Sequence, residues 1–193
     1  CAVVAHGAVS CWSNNGAGQL GIGSTLHKGS PQAEIDLGTG RTATAVAVGI
    51  RTVCAVLDDG SVKCWGAGTS GVLGQGDGTN RGASLADLGD ALLPVPLGTG
   101  RTATAVAVGS TFACAVLDDG SVRCWGENGS GQLGQGDTTD RGDQPGELGD
   151  ALPPIPLGTG RTATAITAGD EFACALLDDG SVKCWGNNVR GQL

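Results

Sequence analysis

The chain lacks methionine and tyrosine, has few cationic residues and contains no long hydrophobic run. Its 11 Lys and Arg stand against 19 Asp and Glu, which gives a net charge of −8. Nothing therefore supplies the cationic stripe that a phosphate backbone requires, and we expect no nucleic-acid partner. The longest apolar stretches, such as residues 43–48, are much shorter than the roughly twenty residues needed to cross a bilayer. We therefore also expect no membrane span.

Other absences concern the ends of the chain and helical patterning. No signal peptide is visible and the chain begins inside a repeat without Met, so we expect an excised or processed piece of a longer protein. The one helical candidate, residues 83–93, has a counterpart at 143–153 that proline and glycine interrupt. Both segments are predicted to be ordered loops.

Glycine, by contrast, is abundant at 36 residues, and it recurs at fixed places in a repeated unit. The segment CAVLDDGSVKCWG at 54–66 returns nearly unchanged at 114–126 and 174–186, and an imperfect copy opens the chain. The period is sixty residues between the close copies and fifty-three from the first copy to the second. Such a period predicts a single repeat array over 1–193, in which no unit buries its own apolar face. Hairpins are predicted at 1–12, 54–65, 114–125 and 174–185.

The turn within each copy sets the register of the predicted hairpin. Asp58-Asp59-Gly60 is typical of a three-residue loop that needs glycine at positive φ. With that loop, Cys54 stands directly opposite Cys64, where Cβ atoms lie about 4.5–5.5 Å apart and a disulfide is within reach. The eight cysteines then form four pairs: Cys1 with Cys11, Cys54 with Cys64, Cys114 with Cys124, and Cys174 with Cys184.

Free buried thiols, metal ligands and a lipidated Cys1 are the alternatives to these disulfides. Zinc ligands typically come in pairs two to four residues apart, whereas nine residues separate each pair here. Cys1 keeps the same spacing to its partner as the other hairpin cysteines. On the chain-entropy model, each closed loop contributes about 2.5–3 kcal/mol at most. Disulfides persist in oxidising compartments, so the pairs predict an extracellular or cell-surface location.

Two further segments precede each hairpin. Residues 42–49 and their counterparts are small and β-branched, which suits a crowded inner strand of a radial sheet. Before them, the prolines of 94–97 and 154–157 confine a short strand to a sheet edge. Each repeat is therefore predicted to form four strands: one outer, one inner and two in the hairpin.

The tract ENGSGQLGQGD at 127–137, with LDDGSVKCWG before its counterpart, resembles the signature of the regulator of chromosome condensation repeat family. Similar stretches occur at 15–23, 68–77 and 187–193. The resemblance implies an all-β fold, a β-propeller of four-stranded blades. This chain would supply about three and a half blades of a seven-bladed ring, and the remaining blades of the parent chain would cover its open edges.

The same resemblance bears on function. Founding members of that family exchange guanine nucleotide on a small GTPase and bind chromatin, and some bacterial members inhibit enzymes. Disulfide-stapled repeats look more like the bacterial exported members. Nothing in these residues selects the exchange function.

No catalytic, cofactor-binding or metal site is predicted. The Asp-Asp pairs at 58–59, 118–119 and 178–179 are identical turn residues on separate blades, unlike the paired carboxylates of acid–base catalysis. His6 and His27 have no triad-like setting. The Gly- and Asp-rich loops offer a calcium site as an alternative, although the spacing of a dedicated loop is absent. Its candidate ligands are Asp77, and Asp137 with Asp140 and Asp143.

Two sets of repeated side chains have both a structural and a binding interpretation. Arginines that follow Gly-Thr-Gly form either an exposed ring on one face or solvated turn positions. Tryptophans at the end of each hairpin either pack between blades, as their recurrence favours, or form a binding column. These residues are Arg41, Arg101 and Arg161, and Trp12, Trp65, Trp125 and Trp185.

The sequence predicts a non-catalytic module that presents propeller loops to another protein outside the cell. Binding should then lie where the copies differ, at 83–92 against 143–152 and at 67–70 against 127–130. A purely architectural surface repeat is the main alternative, since the copies are nearly identical. Exchange-factor and enzyme-inhibitor activities follow by family analogy alone.

Overall fold

The computed structural model describes residues 1–193 and consists of strands joined by turns and short 3₁₀ helices. This confirms the all-β fold class. The strands are β1 (Ala2–Val3), β2 (Val9–Ser10), β3 (Ala43–Val48), β4 (Thr52–Leu57), β5 (Val62–Gly66), β6 (Ala103–Val108), β7 (Phe112–Leu117), β8 (Val122–Gly126), β9 (Ala163–Ala168), β10 (Phe172–Leu177) and β11 (Val182–Gly186). The 3₁₀ helices are Ala5–Gly7, Thr69–Gly71, Leu85–Asp87, Gly89–Ala91 and Gly149–Ala151. None of them has the length and apolarity to cross a membrane.

The strands form antiparallel sheets that follow one another along the chain. Three sheets have three strands each, in the orders β3-β4-β5, β6-β7-β8 and β9-β10-β11, and β1 and β2 form a smaller one. In each larger sheet the inner strand comes first and pairs with the first strand of the hairpin. Strand β6 packs against β3 and β4, and β9 packs against β6 and β7. The sheets therefore stack as successive blades.

The hairpins have the predicted register. Cys54 lies opposite Cys64 and Val56 opposite Val62. The Leu57 N–H donates to the Ser61 carbonyl oxygen at 2.8 Å, which closes a three-residue loop. Gly60 has a φ of 76°, a conformation that a residue with a Cβ rarely adopts. The turn chemistry thus determines which side chains face each other.

The outer segment of each repeat bonds the hairpin of the preceding repeat and does not form the predicted fourth strand of its own repeat. The Val95 N–H donates to the Val62 carbonyl oxygen at 2.7 Å, and the Ile155 N–H donates to that of Val122 at 2.8 Å. Each outer segment therefore completes the blade of the preceding repeat. The flanking prolines have no N–H to extend the ladder, so a single hydrogen bond replaces a full strand. The two middle blades, β3-β4-β5 and β6-β7-β8, accordingly combine a three-stranded ladder with one segment from the next repeat.

The hydrophobic core lies between blades. One buried cluster joins Val56 and Val62 of one repeat to Leu117 and Trp125 of the next. Two similar clusters lie to either side of it. This arrangement agrees with the inference that no unit buries its own apolar face.

Candidate binding face

Each hairpin carries one disulfide. Disulfides join Cys1 to Cys11, Cys54 to Cys64, Cys114 to Cys124 and Cys174 to Cys184, and no cysteine is free. The Cα atoms of Cys54 and Cys64 are 4.1 Å apart. That close approach follows from their opposed positions in the hairpin. The bridges are part of the scaffold.

Three of the four tryptophans link neighbouring repeats, whereas Trp12 is 40% exposed and its indole N–H makes no hydrogen bond. The Trp65 indole N–H donates to the Gln19 carbonyl oxygen at 3.1 Å, and that of Trp125 donates to the Val72 carbonyl oxygen at 2.9 Å. Both rings are fully buried. Trp185 makes the same bond to the carbonyl oxygen of Gln132. Because the indole N–H groups of these three rings are hydrogen-bonded inside the chain, the rings pack between blades and do not form an exposed row for binding.

The repeated arginines pair with the Asp-Asp turns of their own repeat. Arg41 Nη1 lies 2.6 Å from Asp59 Oδ2 and 3.5 Å from Asp58 Oδ2, and both contacts recur at Arg101 and Arg161. The Asp58 carboxylate also accepts the Thr42 N–H at 3.1 Å. The arginines therefore stiffen a turn and form no unpaired cationic ring.

The carboxylates of the Gly- and Asp-rich loops also have structural partners. Asp77 pairs with Arg81 at 2.8 Å, and Asp137 makes the same contact with its own arginine. Asp140 Oδ1 accepts the Asn128 N–H at 2.8 Å, whereas the Asp143 side chain makes no hydrogen bond in the chain. No group of three or more His, Cys, Asp or Glu side chains is arranged to hold a metal ion.

The two histidines lie in turns. His6 has a φ of 62° in the turn between β1 and β2. His27 Nδ1 accepts the Asn15 N–H at 3.0 Å and so organises a surface loop. Both side chains belong to exposed residues.

The loops at 83–92 and 143–152 divide into two halves. In the second half, Asp90 accepts the Thr39 N–H at 2.9 Å and its hydroxyl at 2.6 Å, and Asp150 does the same with Thr99. This half clamps the loop to the preceding repeat, and its LGDAL sequence is identical in both copies. The first half differs between copies and is largely exposed, with Leu85 at 69%. Only this first half resembles the variable binding loop expected from the sequence.

In the two middle repeats, one end of the blade is identical and the inner turns at the other end diverge. Residues 38–49 match 98–109, and 54–62 match 114–122, without a difference. Packing explains this identity at the Asp-Asp-Gly end, where a Cβ on Gly60 would lie 2.6 Å from the Thr102 Cβ. The other end, termed the variable face, consists of the inner turns 49–52, 109–112 and 169–172 and the loops 67–70, 127–130 and 187–190.

Hydrogen bonds hold the variable face together. Within one repeat, the Ala67 N–H donates to the Arg51 carbonyl oxygen at 2.8 Å. Between repeats, the Ser110 N–H donates to the Asp170 carbonyl oxygen at 3.0 Å. The three turns line an open cavity of about 300 Å³. Sequence reasoning missed the turn residues, although their divergence between otherwise identical copies was a visible signal.

Comparisons with known proteins agree with this architecture. Human WBSCR16 superimposes with a TM-score of 0.77 at 21% identity, over 98% of this chain and 45% of that chain. Prp20p from Saccharomyces cerevisiae gives a TM-score of 0.74 at 19% identity, over 96% of this chain and 42% of that chain. These likenesses show the fold, which is that of part of a larger structure in both cases.

The sequence comparisons agree with the structural comparisons. The ultraviolet-B receptor UVR8 of Arabidopsis thaliana is 29% identical over 100% of this chain and 40% of its own length. The human E3 ubiquitin-protein ligase HERC2 is 29% identical over 99% of this chain but only 4% of its own length. A short form of the repeat model matches residues 43–72, 103–132 and 163–192. The longer model matches 59–116 and 119–176, more than half of the sequence, so this chain belongs to the regulator of chromosome condensation (RCC1) repeat family.

Proposed function

We propose that the chain is a non-catalytic protein-binding module of a propeller that works outside the cell. The observation that carries this proposal is that the inner turns diverge between two copies whose adjoining strands are identical. Residues 38–49 and 98–109 are identical, while the turn that follows reads Ile-Arg in one copy, Ser-Thr in the next and Asp-Glu in the third. A rigid scaffold with variable loops is the usual way in which such folds present binding residues.

Structural relatives support the class of function. Prp20p is described together with its binding properties to Gsp1p and histones. The likeness itself, at 19% identity over 42% of that chain, shows the fold alone. Membership of the same repeat family extends the protein-binding class, but not the partners, to this proposal. This chain spans only 4% of HERC2, so the ligase activity named for that protein is not transferred to it.

A copy-equalised variant tests the proposal. Ser110→Ile, Thr111→Arg, Asp170→Ile and Glu171→Arg make all three inner turns identical to that of residues 50–51. Thr111 donates to Glu127, and Glu171 accepts hydrogen bonds from Ser130 and Asn187. Circular dichroism and urea unfolding of the variant therefore first verify that its fold is intact. The immobilised wild-type chain and variant are compared by quantitative mass spectrometry against proteins from the cell exterior.

A protein retained by the wild-type chain and lost from the variant supports a binding module. Equal retention by both chains, or none by either, favours a purely architectural repeat. The identity of segments 38–49 and 98–109 favours this second candidate, because a repeat whose function is to supply length would also keep its copies identical.

The proposed location has a separate test. Four disulfides indicate an oxidising compartment, because reducing compartments do not keep such bonds. Alkylation of the unreduced, denatured protein from its native source should label none of the 8 cysteines, as read by intact mass. Labelling of most of them would contradict both the bridges and the extracellular location.

A further inference from the structure

Two crevices beside the outer segments are built on the same backbone plan. In each, the loop of one repeat lies against a Gly-x-Gly tract of the repeat before it. The first crevice lies between the tract 21–23 and the loop 83–92, and the second lies between the tract 74–76 and the loop 143–152. Their side chains can therefore be compared position by position.

Aliphatic side chains of the chain itself occupy the first crevice. A Cβ on Gly23 would lie 2.5 Å from the Leu85 Cγ, so Leu85 lies directly against the tract. Leu88 is buried in the neighbouring hydrophobic cluster, and Ile22 packs against that cluster. This crevice therefore has no need of a partner.

The second crevice has smaller or polar side chains at the same places and stays open. Pro145 stands in place of Leu85, and Gln75 stands in place of Ile22. Leu148 is only partly buried, unlike its counterpart in the first crevice. A cavity of about 390 Å³ remains between the two middle repeats. Each of these repeats has a neighbour on its other side, so the walls do not depend on where the chain begins or ends.

The cavity combines apolar walls with amide groups. Leu93 is 63% exposed there, and the Gln75 amide donates to its carbonyl oxygen at 2.9 Å. The Gln144 side chain makes no hydrogen bond and faces solvent as an exposed residue. An aromatic side chain suits such walls, because it buries a large apolar area and the N–H of Trp or the O–H of Tyr needs a polar partner. The apolar wall residues are Leu93, Pro94, Pro96, Pro145 and Leu148.

A negative charge without a partner lies beside the cavity, one residue before Gln144. The Asp143 side chain makes no hydrogen bond or ion pair, whereas Glu147 accepts two backbone N–H groups of its own loop. The cationic side chains nearby are all engaged. Arg81 and Arg141 pair with aspartates of their own loops, and Arg123 donates to a backbone carbonyl oxygen. No cation of this chain is thus left for Asp143.

We infer that this cavity receives an aromatic side chain of a partner polypeptide, and that an adjacent lysine or arginine of the partner pairs with Asp143. The inference rests on the proposed protein-binding function and gives it a second contact surface. The ring supplies most of the affinity through apolar burial, whereas the partly exposed ion pair mainly fixes the orientation of the segment. The net charge of −8 favours approach of the same basic partner.

A random dodecamer peptide library displayed on phage, selected on the disulfide-intact chain, tests this inference. Synthetic peptides from the selection are measured by calorimetry against the wild-type chain, Pro94→Lys and Pro154→Lys. Pro94 lines the cavity, whereas Pro154 holds the same place in the next repeat, which no further loop of this kind follows within the 193 residues. Both prolines are exposed, and both substitutions change the charge by the same amount, so Pro154→Lys is the matched control.

We expect enriched peptides to carry an aromatic residue next to Lys or Arg, to bind Pro94→Lys roughly tenfold more weakly and to bind Pro154→Lys unchanged. Asp143→Lys should also weaken binding, and a peptide whose basic residue is replaced by Glu should recover affinity for it. The copy-equalised variant should bind these peptides as the wild-type chain does, because none of its substitutions lines the cavity.

Enriched peptides that bind Pro94→Lys as tightly as the wild-type chain would overturn the assignment of this cavity. Peptides that lose affinity only for the copy-equalised variant would do the same while supporting the proposed function. Failure to enrich any peptide would overturn the cavity assignment alone, because retention of natural proteins by the inner turns is measured separately.

Discussion

At the scale of single residues, Lys63 shows how one buried cation joins consecutive repeats. Its side chain donates to the Leu37 carbonyl oxygen at 2.9 Å and to that of Gly89 at 2.8 Å, and the residue is only 6% exposed. Burial lowers the pKa of this amine, and nearby Asp90 opposes that effect. The equivalent Lys183 donates to one carbonyl oxygen from an exposed position.

Replacing Lys63 by Met should destabilise the fold by about 1–3 kcal/mol, because two carbonyl oxygens lose their donor in a buried setting. Lys183→Met is the matched control, and it should change stability by less than about 0.5 kcal/mol, since water replaces the lost bond. Urea unfolding of the disulfide-intact variants measures both. Equal losses of stability at the two positions would contradict the role of Lys63 in joining consecutive repeats.

The Asp-Asp turns should make the protein sensitive to acid. Hydrogen bonds from the Ser61 side chain, then its backbone N–H, hold the pKa of Asp59 below its usual 3.8. The same serine contacts lower the pKa values of Asp119 and Asp179. As the pH falls, the unfolded chain takes up protons first. The stabilisation that these ionised aspartates contribute is therefore complete above about pH 5 and is lost as the pH falls through and below 3.8.

Urea midpoints measured between about pH 7 and pH 2 check this dependence, and we expect a decline only below about pH 4. The variant Ser61→Ala, Ser121→Ala, Ser181→Ala should show a shallower decline, because its aspartates lose the hydrogen bonds that lower their pKa values. A profile that stays flat to pH 2 in the wild-type chain would exclude this role for the turns.

At the scale of elements, the hairpin turn both closes the hairpin and contacts the next blade. A comparison of Gly60 with Gly180 separates these two roles. Gly60 and Gly180 both have positive φ, of 76° and 83°. A Cβ on Gly60 would also lie 2.6 Å from the Thr102 Cβ of the next repeat, whereas no atom lies within 4 Å at Gly180. The first turn therefore supports both the hairpin and the contact between blades.

Gly180→Ala should cost about 1–2 kcal/mol, the price of a left-handed conformation with a Cβ. Gly60→Ala should cost more, because the collision with Thr102 adds to the same backbone strain. Thermal and urea unfolding compare the two variants. Equal losses would show that the turn does not carry the blade contact.

At the scale of the whole molecule, each blade is stabilised by the one that follows. Val62 and Val122 are fully buried under the next repeat, whereas the equivalent Val182 is 64% exposed. Leu176 is likewise 42% exposed, while Val116 at the same position is 2% exposed. Stability should therefore depend on the contact between neighbouring blades, as in other arrays with nearest-neighbour packing.

Val122→Asp should prevent stable folding, since it buries an unpaired charge between two blades. In the 193-residue chain, Val182→Asp should be tolerated, because that position is exposed. Urea unfolding compares the two variants. Equal losses of stability would contradict a core that lies between the blades.

The sequence alone determined the repeat, the hairpin register and the cysteine pairing partners, because these depend on local turn chemistry and on strand alternation. Three residues between paired strands, with glycine last, place Cys54 opposite Cys64 in any surroundings. The inner strands were predictable for the same reason, since residues 43–48 are small and β-branched.

Only the tertiary structure decided which blade each outer segment completes and which end of the blades diverges. The Val95 N–H bonds the preceding repeat, and Asp90 does the same through Thr39, 51 residues earlier. Contacts over such separations depend on how the blades stack, which no local pattern encodes. For the same reason the turns at Ile50 and Asp170 became one surface only when stacking brought them together.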